Sequence, residues 1–226
     1  MRLFSLAVFA VAILWSGGSP VVAAEYEAAV LEEGPPKDKL SPEIAETLQD
    51  QGVAVKRGSR TIAEIWLRKK WPIQAGFQPT FQLLYPFKEG ELIGVIRYPR
   101  DANDLRDQEI ASGVYTLRYG LQPVDGNHVG TSPTRDFVLL LPAEQDKSVA
   151  PIGTDALVEH STEVSFTSHP AILGLQPTQD PSGELPAMRY HEANDWWILQ
   201  FVGQGEADGK AQDVRVDLVV VGVALE

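Results

Sequence analysis

Apolar and polar side chains alternate along much of this chain, and a two-residue period is typical of β-strands with one buried face. The segment 113–121 shows it most clearly, because aromatic and aliphatic residues occupy its odd positions from 115 onward while Thr116 and Arg118 lie between them. The segment 135–141 is apolar almost throughout, which indicates burial on both faces. Further strands are predicted at 53–55 and 62–67, joined around Arg57-Gly58-Ser59, and at 81–87, 91–98, 163–166, 196–202 and 214–223.

About eight short strands, separated by loops rich in Gly, Pro and Asp, are typical of an antiparallel sandwich or barrel. A doubly wound α/β fold would need a helical pattern between successive strands, and the chain has none. We therefore predict an all-β domain of the antiparallel β-sandwich or jelly-roll type over residues 52–226. Within it, only a single helical turn is predicted, at 154–160.

A short helix is predicted immediately before this domain. Ser41 can act as its N-cap, with Pro42 at the first helical position. Ile44 and Leu48 would share one face, and Gly52 could end the helix in a left-handed conformation. Because the apolar stripe is thin, we expect the helix to lie on the surface of the domain.

The first 24 residues have the pattern of a secretory signal peptide. Arg2 gives a positive start, an apolar run follows through Trp15, and Val22-Ala23-Ala24 supplies the small residues that signal peptidase needs. The run is shorter than the about 20 residues that span a bilayer, although a retained single-span anchor is the alternative. The polar residues from 25 to 39 are predicted to form a flexible arm, so residues 25–51 comprise this arm and the helix.

Composition limits the compartment and the partners. The chain has no Cys and so cannot use disulfides, which suits a bacterial export route. We expect a periplasmic or extracellular protein with no membrane span after the leader is cleaved. Its net charge of −12 repels nucleic-acid phosphates and anionic lipid, which leaves cations, neutral sugars and other proteins as partners.

Polar groups that could carry chemistry concentrate in the loop between the two strongest predicted strands. Asp125, Asn127 and His128 are groups that ligate a cation or hydrogen-bond a sugar. Asp136 could orient the His128 imidazole, and Arg135 stands beside it at the start of the second strand. The alternative is that Asp-Gly-Asn forms an ordinary turn and that Arg135 and Asp136 are only the charged start of the strand.

Two further histidines lie in separate polar segments, His169 before Pro170 and His191 before the paired tryptophans. If the fold brings His128, His169 and His191 together, a histidine metal site becomes possible, but no His-x-His or HExxH spacing supports it. There is also no Gly-x-Ser-x-Gly motif and no Cys nucleophile. The 31 acidic residues allow too many carboxylate pairs to single one out. We predict neither a metal nor a cofactor.

Aromatic residues offer a different kind of binding surface, because exposed tryptophan rings stack on the apolar faces of sugars. Trp71 precedes Pro72 in a predicted loop and is the best candidate for such a surface ring. Trp196 and Trp197 must point to opposite faces of their strand, which places one of the two rings in the core.

Five short motifs carry a family resemblance: Ala63-Glu64-Ile65-Trp66, Gly113-Val114-Tyr115-Thr116-Leu117, Asp125-Gly126-Asn127-His128, Arg135-Asp136-Phe137 and His169-Pro170-Ala171. They resemble uncharacterised exported β-sandwich proteins of environmental bacteria of the planctomycete type, and a domain-of-unknown-function family with an "aGtYtL" strand. The resemblance covers residues 52–175. It implies an exported sandwich without an established activity, so no catalytic residue follows from it.

These observations favour an exported, non-catalytic binding or envelope-associated module, whose partner is a carbohydrate or another envelope protein. One alternative is a secreted hydrolase of carbohydrate or ester bonds that uses His128, Asp136, His169 and His191. Another is a cation-binding protein. The enzyme hypothesis requires those four side chains to meet at one end of the fold, whereas the binding hypothesis does not.

Overall fold

The computed structural model describes residues 26–126, 132, 134–181 and 183–224. The predicted leader and two of the predicted site residues, Asn127 and His128, lie outside the described residues. Antiparallel β-strands dominate the secondary structure of the described chain, with few helices, which confirms the all-β prediction. None of the helices in these ranges is long and apolar enough to cross a membrane.

The described residues form thirteen strands and two α-helices. The strands are β1 (Tyr26–Leu31), β2 (Gly52–Arg57), β3 (Arg60–Leu67), β4 (Trp71–Pro72), β5 (Leu92–Tyr98), β6 (Ala102–Asn103), β7 (Glu109–Ile110), β8 (Gly113–Leu121), β9 (Asp136–Pro142), β10 (Ile172–Gln176), β11 (Ala187–His191), β12 (Trp196–Ala207) and β13 (Lys210–Val221). The helices are α1 (Pro42–Thr47) and α2 (Thr154–Ser165). With shifted ends, these elements confirm the hairpin predicted at 52–67 and the strands predicted at 91–98, 113–121, 135–141, 196–202 and 214–223.

Eleven of the strands form one large sheet that is nearly closed. Its order is β1-β2-β3-β5-β8-β9-β10-β13-β12-β11, with β4 beside β12. The β4–β12 pair is parallel, and the pairs along this order are antiparallel. β1 and β11 stand at the two ends of this order yet contact each other, and we call their junction the seam. β6 and β7 form a separate two-stranded sheet.

The nearly closed sheet encloses the main hydrophobic core. Trp71, Phe87 and Tyr119 belong to it. The ring centroids of Trp71 and Phe87 are 5.3 Å apart, and those of Phe87 and Tyr119 are 5.5 Å apart. The outer face of the sheet carries two smaller clusters, each covered by a helix. α1 buries Ile44 in a cluster with Trp66, and α2 covers the other cluster.

The N-terminal helix agrees with its prediction at its start but not at its end. The Ser41 hydroxyl accepts a hydrogen bond from the Ile44 amide at 3.3 Å, as expected of an N-cap. Ile44 and Leu48 are buried, so the helix lies on the sheet as expected. Gly52 does not cap the helix, because α1 ends earlier and Gly52 begins β2. A Cβ there would lie 2.8 Å from the Trp66 indole nitrogen, so this glycine serves close packing.

The prediction of a flexible arm before the helix is wrong in its first part. Residues 26–31 form β1 and pair with β2 along their whole length. Tyr26 and Ala28 pack against the main core. These two apolar side chains, at a spacing of two, decide the conformation of the segment despite the charged residues around it.

Two predicted strands are absent from the described structure. The strand predicted at 163–166 is wrong, because α2 continues through Ser165. Leu157 and Val164 are buried at helical spacing, and this face holds the helix against the sheet. The strand predicted at 81–87 is a loop, because its backbone amides bind a carboxylate instead of a neighbouring strand.

Candidate functional site

A cavity of about 310 Å³ opens at one end of the nearly closed sheet. Strands β1 and β3 begin at this end, and β5 and β13 finish there. We call it the end cavity. Its lining includes Tyr26, Arg60, Ile62, Tyr98, Arg100 and Val220.

Short turns bring the charged rim of the end cavity into place. Gly58, with a φ of 60°, makes the tight turn between β2 and β3 and sets Arg57 directly opposite Arg60. Pro99 follows the last residue of β5 and has no amide to continue the strand pairing. Arg100 therefore leaves the sheet at the same edge as Arg60.

The end of β13 forms one wall of the end cavity. Gly222 has a φ of 129°, in the region that favours glycine, and a Cβ there would lie 2.5 Å from the Trp196 ring. The Trp196 indole donates a hydrogen bond to the Val223 carbonyl at 2.9 Å. This contact fixes the path of the chain beyond β13, so residues 220–223 line the cavity.

The floor of the end cavity is apolar except for one hydroxyl. Tyr98 and Val220 belong to the main core, and Ile62 packs against it. Only 3 % of Tyr98 is exposed, yet its hydroxyl makes no hydrogen bond with a described residue. Burial raises the pKa of the Tyr98 phenol, so the hydroxyl stays protonated at neutral pH. Tyr98 is not among the described residues with a buried polar atom that lacks a partner, so its hydroxyl contacts solvent and offers a donor beside the cavity.

Three aromatic rings follow one another beside the end cavity and across the seam. The Trp197 centroid lies 5.2 Å from that of Tyr26 on β1 and 5.0 Å from that of Tyr190 on β11. Tyr190 is the cross-strand partner of Trp197, and 47 % of it is exposed. The Arg57 guanidinium lies over the Tyr26 ring, 5.3 Å from its centroid. We call Tyr26, Trp197 and Tyr190 the aromatic strip. Because Tyr26 also lines the end cavity, the two surfaces are continuous.

The charged groups of the end cavity are mainly cationic, although the chain has a net charge of −12. Arg60 and Arg100 are exposed at the rim, and neither side chain forms a hydrogen bond or ion pair with a described residue. Asp101 is the one acidic residue among the described lining residues, and its carboxylate accepts a hydrogen bond from the Ser112 amide at 2.8 Å. The described lining thus offers flat rings, cations and a free donor, but no pair of carboxylates and no nucleophile with a base.

Comparison with known proteins supplies no relative from which a function could be transferred. No family model, no curated protein and no solved structure matches this chain. The resemblance to exported proteins of environmental bacteria therefore stays a prediction, and the geometry of the end cavity is the basis for assigning a function.

The prediction that Trp71 is a surface ring is wrong, because its side chain is fully buried. The indole nitrogen donates to the Ile93 carbonyl at 2.8 Å. The ring packs over Gly203 of β12, where a Cβ would come within 2.2 Å of it. Trp71 and Pro72 form β4 beside β12, so this segment belongs to the sheet. The glycine that makes room for the ring lies far away in the sequence, where the Trp-Pro pair gives no hint of it.

Asp136 is buried, and it holds a loop in place. Its carboxylate accepts hydrogen bonds from the Leu84 and Tyr85 amides at 3.0 and 3.2 Å. The Tyr119 hydroxyl donates to the same carboxylate at 2.5 Å. These three donors anchor the loop before β5 to the sheet. The proposed partner of Asp136, His128, lies outside the described residues.

Asp125 and Arg135 mark the two ends of the loop between β8 and β9. Asp125 is exposed beyond the end of β8. The Arg135 Nε donates to the Gln122 carbonyl at 2.9 Å and so joins the two ends of the loop. This contact favours the interpretation of Arg135 as the charged start of a strand.

His169 and His191 lie in different parts of the molecule. His169 is exposed in a separate groove of about 320 Å³ between α2 and the sheet, which Arg106 also lines. His191 ends β11, with its ring centroid 5.8 Å from that of Trp196. Within the described residues, Asp136, His169 and His191 share no hydrogen bond and no cavity. No group of three or more His, Cys, Asp or Glu in the described ranges is placed to hold a metal ion.

Buried carboxyl groups make the stability of the fold depend on pH. Burial raises the pKa of Glu91, Asp136 and Asp217 above that of a free carboxyl group, although neighbouring donors oppose the shift. The folded protein therefore binds more protons than the unfolded chain. The stability gained from these extra protons is fully present below about pH 4, near the pKa of the carboxyl groups in the unfolded chain. It is lost as the pH rises through their raised pKa values in the folded protein. We expect a higher urea midpoint of unfolding at about pH 5 than at about pH 8.

Repulsion among the acidic surface groups also lowers stability as the pH rises, so the measurement needs a control that separates the two effects. Repeating it in about 0.5 M NaCl screens exposed charges strongly and buried ones much less. The difference between the two pH values should persist in salt. A midpoint that is lower at the acidic pH in both solutions would contradict the assignment.

Trp197 is the one residue of the aromatic strip that the sequence indicated, because adjacent Trp196 and Trp197 must point to opposite faces of their strand. Trp196 is 2 % exposed whereas Trp197 is partly exposed, which confirms that the two rings point to opposite faces. The rest of the end cavity was not predicted. The sequence does contain a pattern that could have indicated the charged rim of this cavity. In an acidic chain, the segments 57–60 and 97–100 each carry two arginines at the end of a predicted strand.

Proposed function

We propose that this protein is an exported, non-catalytic carbohydrate-binding module that acts in the periplasm or outside the cell. The observation that carries the proposal is the continuity of the aromatic strip with the end cavity, whose lining includes Tyr98 with a hydroxyl that bonds to no described residue. The leader predicted over residues 1–24 supports export.

A sugar ring matches the chemistry of this site. Its CH faces are apolar and stack on aromatic rings, whereas its hydroxyls need hydrogen-bond partners around the edge. The aromatic strip supplies the stacking surface, and Tyr98 and the rim supply polar groups. A volume of about 310 Å³ is at the lower end for small-molecule sites, so the cavity fits one terminal ring while further rings lie along the strip.

The two other hypotheses have less support at this site. A hydrolase needs two placed carboxylates or an activated nucleophile, and Asp101 is the single acidic group of the described lining. A cation site needs clustered oxygen ligands, whereas this rim carries Arg60 and Arg100. Recognition of another envelope protein would use the same aromatic strip, and binding experiments separate it from sugar binding.

We expect Trp197→Ala to weaken glycan binding by about tenfold or more, because stacking and buried apolar area are both lost. A glycan array probed with the mature chain would identify the ligand, and calorimetry would measure the dissociation constants. Phe166→Ala is the matched control. Phe166 is an aromatic residue that is 83 % exposed at the end of α2 and lines no part of the end cavity. Its removal should leave the affinity unchanged.

Tyr98→Phe tests the same site without removing a ring. It deletes one hydroxyl that has no partner among the described residues, so the melting temperature should change little while the glycan affinity falls. An array without any bound glycan would overturn the proposal. Unchanged affinity in both Trp197→Ala and Tyr98→Phe would also overturn it. Capture of an envelope protein that Trp197→Ala abolishes, without glycan binding, would assign the strip to a protein partner instead.

A further inference from the structure

We infer that the sugar bound at the end cavity carries a carboxylate, as uronic acids do, and that Arg60 and Arg100 hold this group. The inference rests on the proposed function, because it names the chemical class of the ligand at the same site. Its basis is the way in which arginines are paired in this acidic protein.

Most described arginine side chains have an acidic or carbonyl partner. The ion pairs join Arg68 to Glu91, Arg97 to Glu33 and Glu64, Arg118 to Asp146, Arg189 to Asp217 and Arg215 to Asp180. Arg57 lies over the Tyr26 ring, whereas the side chains of Arg60, Arg100 and Arg106 form no hydrogen bond or ion pair with a described residue. Arg106 lines the groove beside α2 together with Glu89. The other two line one cavity together with a single acidic residue, Asp101, so the end cavity has an excess of positive charge.

Strand pairing brings the start of β3 and the end of β5 to the same end of the sheet. β3 and β5 are antiparallel neighbours in which Glu64 lies opposite Arg97. Arg60 begins β3 and Arg100 follows the end of β5, so both lie at the end of the sheet where the end cavity opens. Both arginines line the end cavity, so one carboxylate entering it can meet two guanidinium groups.

A carboxylate is the group that this rim recognises best. A planar guanidinium donates two parallel hydrogen bonds to a carboxylate, and the interaction strengthens next to an apolar floor such as that formed by Ile62 and Val220. Asp101 offsets only part of the charge of the pair, because two guanidinium groups face one carboxylate in this lining and no ion pair joins that carboxylate to either arginine.

The overall charge limits the size of the acidic ligand. At a net charge of −12, the protein repels long polyanions, whose many charges lie over its acidic surface. A chain end or a short oligosaccharide presents its carboxylate to the rim alone. The ligand class is therefore a terminal acidic sugar, whose ring packs against the aromatic strip while its carboxylate contacts the two arginines.

The decisive comparison is between a short uronate oligosaccharide and its methyl ester, because esterification removes the charge and leaves the ring in place. Oligomers of galacturonate, glucuronate and mannuronate form the panel, and calorimetry with the mature chain measures their affinities. We expect the free acid of at least one sugar to bind about tenfold or more tightly than its ester. This advantage should shrink in high salt.

Single substitutions separate the charge contact from the stacking contact. Arg60→Gln and Arg100→Gln should each bring the ratio of acid to ester affinity toward one. Trp197→Ala should weaken both ligands and leave this ratio unchanged. Arg215→Gln is the matched control, since it removes an exposed arginine that lies outside the end cavity, and both affinities should stay the same.

The outcomes distinguish this inference from the function on which it rests. An ester that binds as well as its acid, or an unchanged ratio in both arginine variants, would overturn the carboxylate assignment while sugar binding stands. Binding of sulfated oligosaccharides without binding of any uronate would overturn it too. If no sugar of any kind binds, the proposed function fails together with the inference.

Discussion

Replacing Arg118 with methionine is expected to lower the free energy of unfolding by about 3–5 kcal/mol, which is the cost of breaking a buried ion pair from one side. Arg118 is fully buried in β8, and two of its nitrogens donate to the two carboxylate oxygens of Asp146 at 2.8 and 2.7 Å. Its third nitrogen donates to the Gly90 and Ala150 carbonyls, both at 2.8 Å. One side chain thus holds the loop before β5 and the loop after β9 against the sheet.

Urea unfolding at neutral pH measures this loss, and two further variants identify its cause. Methionine keeps most of the side-chain volume, so the loss arises mainly because Asp146 is left as an unpaired buried carboxylate. The double variant Arg118→Met, Asp146→Leu should therefore recover part of the stability. Arg215→Met breaks an exposed pair and should have a much smaller effect. Equal midpoints for Arg118→Met and Arg215→Met would contradict the assigned role.

Trp71→Ala is expected to lower the free energy of unfolding by about the same amount, 3–5 kcal/mol, as truncation of a buried aromatic residue does. The Trp71 ring fills the space over Gly203 and lies among the rings of the main core, with its centroid 5.3 Å from that of Phe87 and 6.5 Å from that of Phe201. Alanine would leave a cavity there. It would also leave the Ile93 carbonyl without its donor.

Chemical unfolding of three variants tests this assignment. Phe81→Ala is the control, because Phe81 is fully exposed and its removal should leave the midpoint unchanged. Trp71→Phe keeps part of the ring but loses the indole hydrogen bond, so its midpoint should fall between those of the control and Trp71→Ala. If Trp71→Ala unfolded at the same urea concentration as the control, the ring would not lie in the core.

Features that depend on neighbouring residues could be predicted from the sequence. The two-residue period of β8 identified its strand, because successive side chains of a strand point to opposite faces. The sequence did not show that the polar face is buried as well, with Thr116 and Arg118 fully enclosed. The N-cap at Ser41 was also predicted from neighbouring residues, since its hydroxyl binds an amide three residues away. The Trp196-Trp197 pair also obeyed the strand geometry.

Features that depend on distant residues could not be predicted in this way. The 81–87 loop has the composition of a strand, but its amides bind Asp136, which lies about 50 residues further along the chain. The burial of Trp71 requires a glycine on β12. The aromatic strip joins Tyr26 and Trp197, which come from opposite ends of the described chain and meet only because the sheet nearly closes. The periodicity of apolar residues within a short segment does not indicate such a long-range contact.

The seam also sets the stage of folding at which the proposed binding surface is complete. From β1 to β9, the large sheet is built between strands that follow closely in the sequence, whereas the contact of Tyr26 with Trp197 closes a loop that includes most of the chain. Such long-range contacts form late, because loop-closure entropy opposes them. The proposed binding surface is therefore completed only in the last step of assembly. β1 is paired on a single side, so its detachment would remove Tyr26 from this surface while the remaining strands stay folded.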